Sequence, residues 1–183
     1  MKKAVLFLAT GFEETEAVAT IDVLRRGDIE TTVVSITGDH KVTGAHNIAV
    51  TADALFDEMD FSGVDALILP GGMPGSTNLN ACEPLKQLLT EHHRDGKLVA
   101  AICAAPLVLG GLGILNKRRA TCYPGIEPQL IGATIVEDSA VTDGNVITGK
   151  GPGLVFNFAL SIIIWLKGTK TTAGVAHDLL LID

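Results

Sequence analysis

The stretches "KAVLFLA" (residues 3–9), "VDALILPGG" (64–72) and "KLVAAIC" (97–103) each contain a continuous apolar run of strand length. A strand with no polar face must be covered on both faces. That requirement points to a mainly parallel sheet between two layers of helices. Helical patterns follow the runs. In "TGFEETEAVATIDVLRRG" (10–27), Ala17, Ile21 and Leu24 recur at helical spacing, and Gly27 after two arginines reads as a stop. "CEPLKQLLTEHHRDGK" (82–97) is amphipathic through Leu85, Leu88 and Leu89, and "AAPLVLGGLGIL" (104–115) starts as a helix. "TTVVSIT" (31–37) is a β-branched strand, and "RATCY" (119–123) and "ATIVED" (133–138) are short ones. "HKVTGAHNIAVTAD" (40–53) reads as a hairpin-like excursion around Gly44, and "AVTDGNVITG" (140–149) as a hairpin turning at Asp143-Gly144. "GLVFNFALSIIIWLKG" (153–168) is a buried helix closed by Gly168, and "TTAGVAHDLLL" (171–181) a last helix. The expectation is an α/β sandwich in a single domain over residues 1–183, with no linker or repeat.

The formal net charge of −7 argues against nucleic acid as a partner, since phosphate neutralisation needs clustered cations. The one basic cluster, Lys117-Arg118-Arg119, is expected to end a helix. Three cysteines, an odd number with no CxxC pair, fit a reducing cytoplasm rather than a disulfide framework. The apolar run Ala4 to Ala9 is too short for a secretory leader, and "FALSIIIWL" is about half the length of a membrane span.

In an open α/β sheet the crevice beyond the carboxyl ends of the strands is where ligands bind. That rule selects "ATGFEE", "LPGGMPG", "AICAAP" and "TCYPG". Cys103 lies where a strand stops and a helix begins, flanked two residues away by Ala101 and Ala105, small enough for a tight nucleophile-bearing turn. A helix N-terminus there would favour the thiolate. The alternative is an inert core cysteine. Gly71 and Gly72 can bring backbone N–H groups to the crevice, so that Gly72 and Ala104 would supply an oxyanion hole. Of the acids Glu13, Glu14 and Glu16, the first and third share a helix face. The helix dipole alone would explain all three; buried near Cys103, Glu16 would have a raised pKa and act as a protonated partner. Among five histidines only His46, in the excursion, is a candidate to line the site. No spacing suits zinc and no phosphate loop occurs, so no metal or cofactor is expected.

"LATGFEETEA", "LPGGMPG", "AAICAAP", "TCYPG" and "GKGPGLVFNFAL" together span nearly the whole chain. In this order they resemble the ThiJ/PfpI superfamily, in the branch of the Parkinson disease protein deglycase and its bacterial relatives. The resemblance implies a flavodoxin-like three-layer sandwich, a homodimer and a reactive, oxidisable Cys103 with Glu16 as its protonated partner. It implies oxyanion positions at Gly72 and Ala104, and a segment near the site at Gly151-Pro152-Gly153. The implied activity is glyoxalase- or deglycase-like chemistry on a small carbonyl or glycated substrate. A redox-sensor or chaperone role through Cys103 oxidation is the alternative, and thiazole phosphate metabolism a weaker third. Tyr123 stands where some relatives carry histidine, His46 where some carry arginine, and Ala104 where the family's peptidases carry histidine, which argues against peptidase activity.

Overall fold

The computed structural model describes residues 1–182. The elements, in chain order, begin with β1 (Lys3–Leu8), α1 (Glu14–Arg26), β2 (Glu30–Ser35), β3 (Lys41–Thr43), β4 (Ala49–Thr51) and β5 (Ala54–Leu55). The middle holds β6 (Ala66–Leu69), α2 (Gly75–Ala81), α3 (Glu83–Arg94), β7 (Leu98–Ile102), α4 (Pro106–Gly111), β8 (Arg119–Ala120) and β9 (Thr134–Ile135). The chain closes with β10 (Ala140–Asp143), β11 (Val146–Gly149), α5 (Val155–Lys167) and α6 (Thr169–Asp178).

Seven strands form one sheet in the order β10-β11-β7-β6-β1-β2-β5. Every pairing is parallel except β10 with β11, the hairpin on one edge. β1 shows why this sheet needs two covers. Ala4, Leu6 and Leu8 pack into one core with Ala17, Ile21 and Leu24 of α1 and Phe158, Ile162 and Ile163 of α5. Val5, Phe7 and Ala9 point the other way, among Leu79 of α2, Leu85 and Leu89 of α3, and Leu107 to Leu109 of α4. Because side chains alternate along a strand, its uninterrupted apolar sequence fills both layers. The fold is therefore α/β, with a mostly parallel sheet flanked by helices, as expected.

Several local expectations are corrected. α2 was not anticipated, because "GSTNLNA" has little apolar periodicity; only Gly75, Ser76 and Leu79 of it are buried. β8 and β9 are two residues each and pair with one another outside the main sheet. The loop between β10 and β11 is Gly144-Asn145 rather than Asp143-Gly144, with Gly144 at φ 62°. Lys117-Arg118-Arg119 ends no helix. Instead Arg118 donates to the Asp143 carbonyl at 2.8 Å and ties the turns after α4 to the edge hairpin. The excursion does form an antiparallel hairpin, β3 with β4.

The parallel register aligns the strand ends. Ile68 of β6 lies opposite Leu6 of β1 and Ala100 of β7, and Gly149 of β11 lies opposite Ile102. The loops after β1, β6, β7 and β11 consequently emerge together over one end of the sheet.

Candidate active site

Cys103 is the first residue after β7, and its backbone is left-handed, at φ 98°. A non-glycine residue held there costs about 1–3 kcal/mol, sustained only when the surroundings over-determine it. Those surroundings are visible. The Ala105 N–H returns to the Ile102 carbonyl at 3.0 Å, and the Tyr123 N–H donates to the Cys103 carbonyl. The bend turns the sulfur out of the sheet and into a cavity of about 350 Å³. Glu13, Glu16, His46, Gly72, Cys103 and Ala104 line it, with Met73, Tyr123, Ile126 and Pro152 around them.

Glu16 reaches this cavity from the first turn of α1 and is wholly buried. Its Oε2 accepts the Gly71 N–H at 2.7 Å, and the carboxylate also accepts from the Cys103 thiol. Glu16 Oε1 is buried with no nitrogen or oxygen donor among the described residues. Burial pushes the Glu16 pKa up to about 7, so near neutral pH it is about half protonated. Two glycines make this contact possible. A Cβ on Gly71 would stand 2.7 Å from both Cys103 Cβ and Glu16 Oε2. Gly72 has φ 91°, and a Cβ there would overlap the Glu13 nitrogen.

The backbone N–H groups of Gly72 and Ala104 both donate toward the Cys103 sulfur and favour its anion. They do not prevail, and here the structure reverses the expectation of a depressed thiol pKa. α4 starts at Pro106, three residues past Cys103, and is only six residues long. Burial, then the negative charge of Glu16, then the hydrogen bond to it raise the thiol pKa above its ordinary value. While Glu16 is ionised, Cys103 keeps its proton. The two groups titrate as a pair, with at most one negative charge between them near neutral pH.

The remaining residues divide as follows. Glu13 caps α1, accepting from the Thr15 N–H at 3.3 Å, and faces the cavity. Glu14 turns away, toward the β3–β4 hairpin, where it accepts the His46 N–H at 2.7 Å and meets His46 Nδ1 at 2.9 Å. Gly151 is not part of the lining, although the Tyr123 ring lies against it. Cys122 is buried outside the cavity, with its pKa raised to about 11 mainly by burial, and Cys82 is half-buried. Sequence reasoning left Met73 and Ile126 out, since isolated apolar residues in loops give no signal. It also gave Glu14 no task, because its partner lies 32 residues further on.

Residues 2–164 match the model of the DJ-1/PfpI family. The DJ-1 homolog B of Arabidopsis thaliana is 38% identical over 98% of this chain, which spans 42% of that protein, and 47% of homolog A. A Caenorhabditis elegans protein named glutathione-independent glyoxalase DJR-1.2 is 33% identical over 92% of this chain and 90% of its own. Among solved structures, a cysteine-to-alanine mutant of a DJ-1 superfamily protein from Salmonella typhimurium superposes with a TM-score of 0.93 at 36% identity, covering 98% of both chains. The oxidized DJ-1 of Toxoplasma gondii gives 0.94 at 32%, again over 98% of both. With a family match that runs from β1 into α5, and relatives that share the whole sandwich, the chain belongs to the DJ-1/PfpI family.

Proposed function

We propose that this protein is a Cys103-dependent enzyme acting on reactive carbonyls, glyoxalase-like or deglycase-like, with methylglyoxal or its early thiol and amine adducts as substrates. The observation that carries this reading is Cys103 itself, held at φ 98° at the base of a small cavity with a buried carboxyl as proton partner. Glu16 takes the thiol proton as the sulfur adds to the aldehyde carbon. The carbonyl π pair moves onto oxygen, within reach of the Gly72 and Ala104 N–H groups. Glu16 then returns the proton to that oxygen, leaving a hemithioacetal. The glyoxalase name of the nematode relative supports the substrate class. The test is removal of methylglyoxal without glutathione by the parent and by a Cys103→Ser variant. Equal rates from the two proteins reject the reading.

A second reading, redox sensing, is favoured by the same pair of N–H groups at the sulfur, which suit an oxidised, negatively charged cysteine. A relative crystallised in an oxidized form points the same way. Peroxide would oxidise the Cys103 thiol toward the sulfinate while being reduced to water. Intact mass after a low peroxide dose tests it: no oxygen gain on Cys103 ends this reading.

The assembly we propose is a homodimer of single-domain chains. Val18 on α1 and Ile48 beside β4 are exposed apolar residues suited to such a contact, and sedimentation velocity tests it. No helix among the described residues is long and apolar enough to cross a membrane. Three free thiols fit a cytoplasmic setting.

A further inference from the structure

The tip of the β3–β4 hairpin is fastened to α1 more firmly than a surface loop requires. Its anchor is Glu14, only 6% exposed. Glu14 Oε1 accepts the N–H groups of His46 at 2.7 Å and Ile48 at 3.3 Å, while Oε2 meets His46 Nδ1 at 2.9 Å. The Ala45 N–H donates to the Phe12 carbonyl at 2.8 Å, and the Gly11 N–H to the Thr43 carbonyl at 2.9 Å. A Cβ at Gly44 would overlap the Glu14 carboxyl. These contacts hold one exposed imidazole at the rim of the Cys103 cavity and commit its Nδ1, so Nε2 is the ring nitrogen left for a ligand.

We propose that His46 and Glu14 are a proton-transfer dyad for the hemithioacetal on Cys103, His46 acting through Nε2 as the catalytic base and Glu14 as the positioning residue that sets its tautomer. The proposal rests on the carbonyl reading above and supplies what that reading lacks. Converting a 2-oxoaldehyde into a 2-hydroxy acid moves one hydrogen from the aldehyde carbon to the keto carbon. Nε2 removes the hydrogen of the sulfur-bearing carbon as a proton. The C–H electron pair becomes the double bond of an enediolate. His46 then returns the proton to the former keto carbon, and the hydroxyl proton of the sulfur-bearing carbon passes to the neighbouring oxygen. A thioester with a 2-hydroxyl results, and water releases the acid and the thiol. The aldehyde carbon is oxidised and the keto carbon reduced, so no external redox partner enters.

Glu16 is poorly suited to this second task. Its Oε2 is held by the Gly71 N–H, and its Oε1 is fully buried. His46 is the one imidazole among the lining residues. Its bond to Glu14, with the charges of Glu13 and Glu14, raises its pKa above the ordinary 6.5 and makes it a stronger base. The groups facing it are Glu13, whose Oε2 lies 3.4 Å from Nδ1, and Glu14; Glu16 and Cys103 share the cavity. The carboxylate also fixes the tautomer: Nδ1–H donates to Glu14, leaving the Nε2 lone pair free.

The experiment compares the parent, Cys103→Ser, His46→Gln and Glu14→Gln on methylglyoxal without glutathione. Alongside are Cys103 alkylation rates and ¹⁵N spectra of the His46 ring. His46→Gln should lower kcat by roughly 100-fold or more and remove the acid limb of the kcat profile. Its Cys103 alkylation rate should match the parent's. Glu14→Gln should cost kcat similarly and switch neutral His46 to the Nε2–H tautomer, because an amide NH₂ donates to Nδ1. Parent kcat and pH profile in His46→Gln, with Cys103→Ser dead, overturn the dyad and leave the carbonyl reading standing. An inactive parent, or a Cys103→Ser variant equal to it, overturns both. An Nε2–H tautomer in the parent overturns the dyad whatever the rates.

Discussion

Glu16, fully buried at the start of α1, raises the proton affinity of Cys103 at the end of β7, whereas the thiol's hydrogen bond lowers that of Glu16, which burial drives up. Two acids in contact without a cation cannot both ionise near neutral pH. Which of the two holds the proton decides whether the sulfur can attack, and the predictions below follow from that competition and from the backbone that enforces it.

The Glu16 shift has a signed effect on stability. The carboxyl ionises near its ordinary 4.5 in the unfolded chain and near 7 in the fold. Between those values the fold binds the extra proton, so this contribution is full below pH 4.5 and disappears as pH rises through 7. It amounts to about 3 kcal/mol. Urea unfolding should show parent stability falling from pH 5 to 7 relative to Glu16→Gln; a pH-independent difference is the contrary outcome.

His92 works in the opposite direction. It is 4% exposed, and burial lowers its pKa from 6.5 to about 4. The unfolded chain takes up this proton first, so stability is lost as pH falls from 6.5 through 4, by up to about 3 kcal/mol. From pH 4.5 to 6.5 the two residues largely cancel. A His92→Gln variant should therefore lose stability from pH 4.5 to 6.5, where the parent stays nearly flat.

The left-handed backbone at Cys103 predicts an unusual order of variants. Glycine accepts φ 98° freely and alanine does not. Cys103→Gly should be more stable than Cys103→Ala by about 1 kcal/mol, read from urea midpoints at constant m. The reverse order would mean that the bend is not strained.

Gly71→Ala tests the contact itself. The added methyl would stand 2.7 Å from both Cys103 Cβ and Glu16 Oε2, so one must move. The variant should fold, yet its Cys103 alkylation profile should lose the inflection near pH 7 that the Glu16 titration imposes on the parent. An unchanged inflection would show that the two groups are not coupled as described.

Cys122 should stay silent where Cys103 does not. Both thiol pKa values are raised, but Cys122 is buried and does not line the cavity, so access separates the two. Peptide mapping after brief alkylation at pH 8 should find label on Cys103 and none on Cys122 until urea is added.

Much of this was legible in the residues. Unbroken apolar runs such as Ala4 to Ala9 announced a sheet covered on both faces, and the small residues after them marked the crevice. Glu13 and Glu16 share one face of α1, as their spacing of three requires. What stayed hidden depends on contacts across the chain. Placement at a helix start suggested a depressed thiol pKa, but burial and the Glu16 charge, invisible in one dimension, outweigh it. α2 escaped because one leucine among six small and polar residues makes no stripe. The Glu14–His46 pairing escaped because only the folded hairpin brings residue 46 back to residue 14.

The central claim is that the Cys103 sulfur forms a covalent bond to the substrate carbon. Mass measurement of the protein quenched in acid during methylglyoxal turnover tests it directly. The account predicts one substrate-sized adduct, mapped to Cys103, that appears within the first turnover and decays as substrate is exhausted. An unmodified Cys103 throughout active turnover would contradict it.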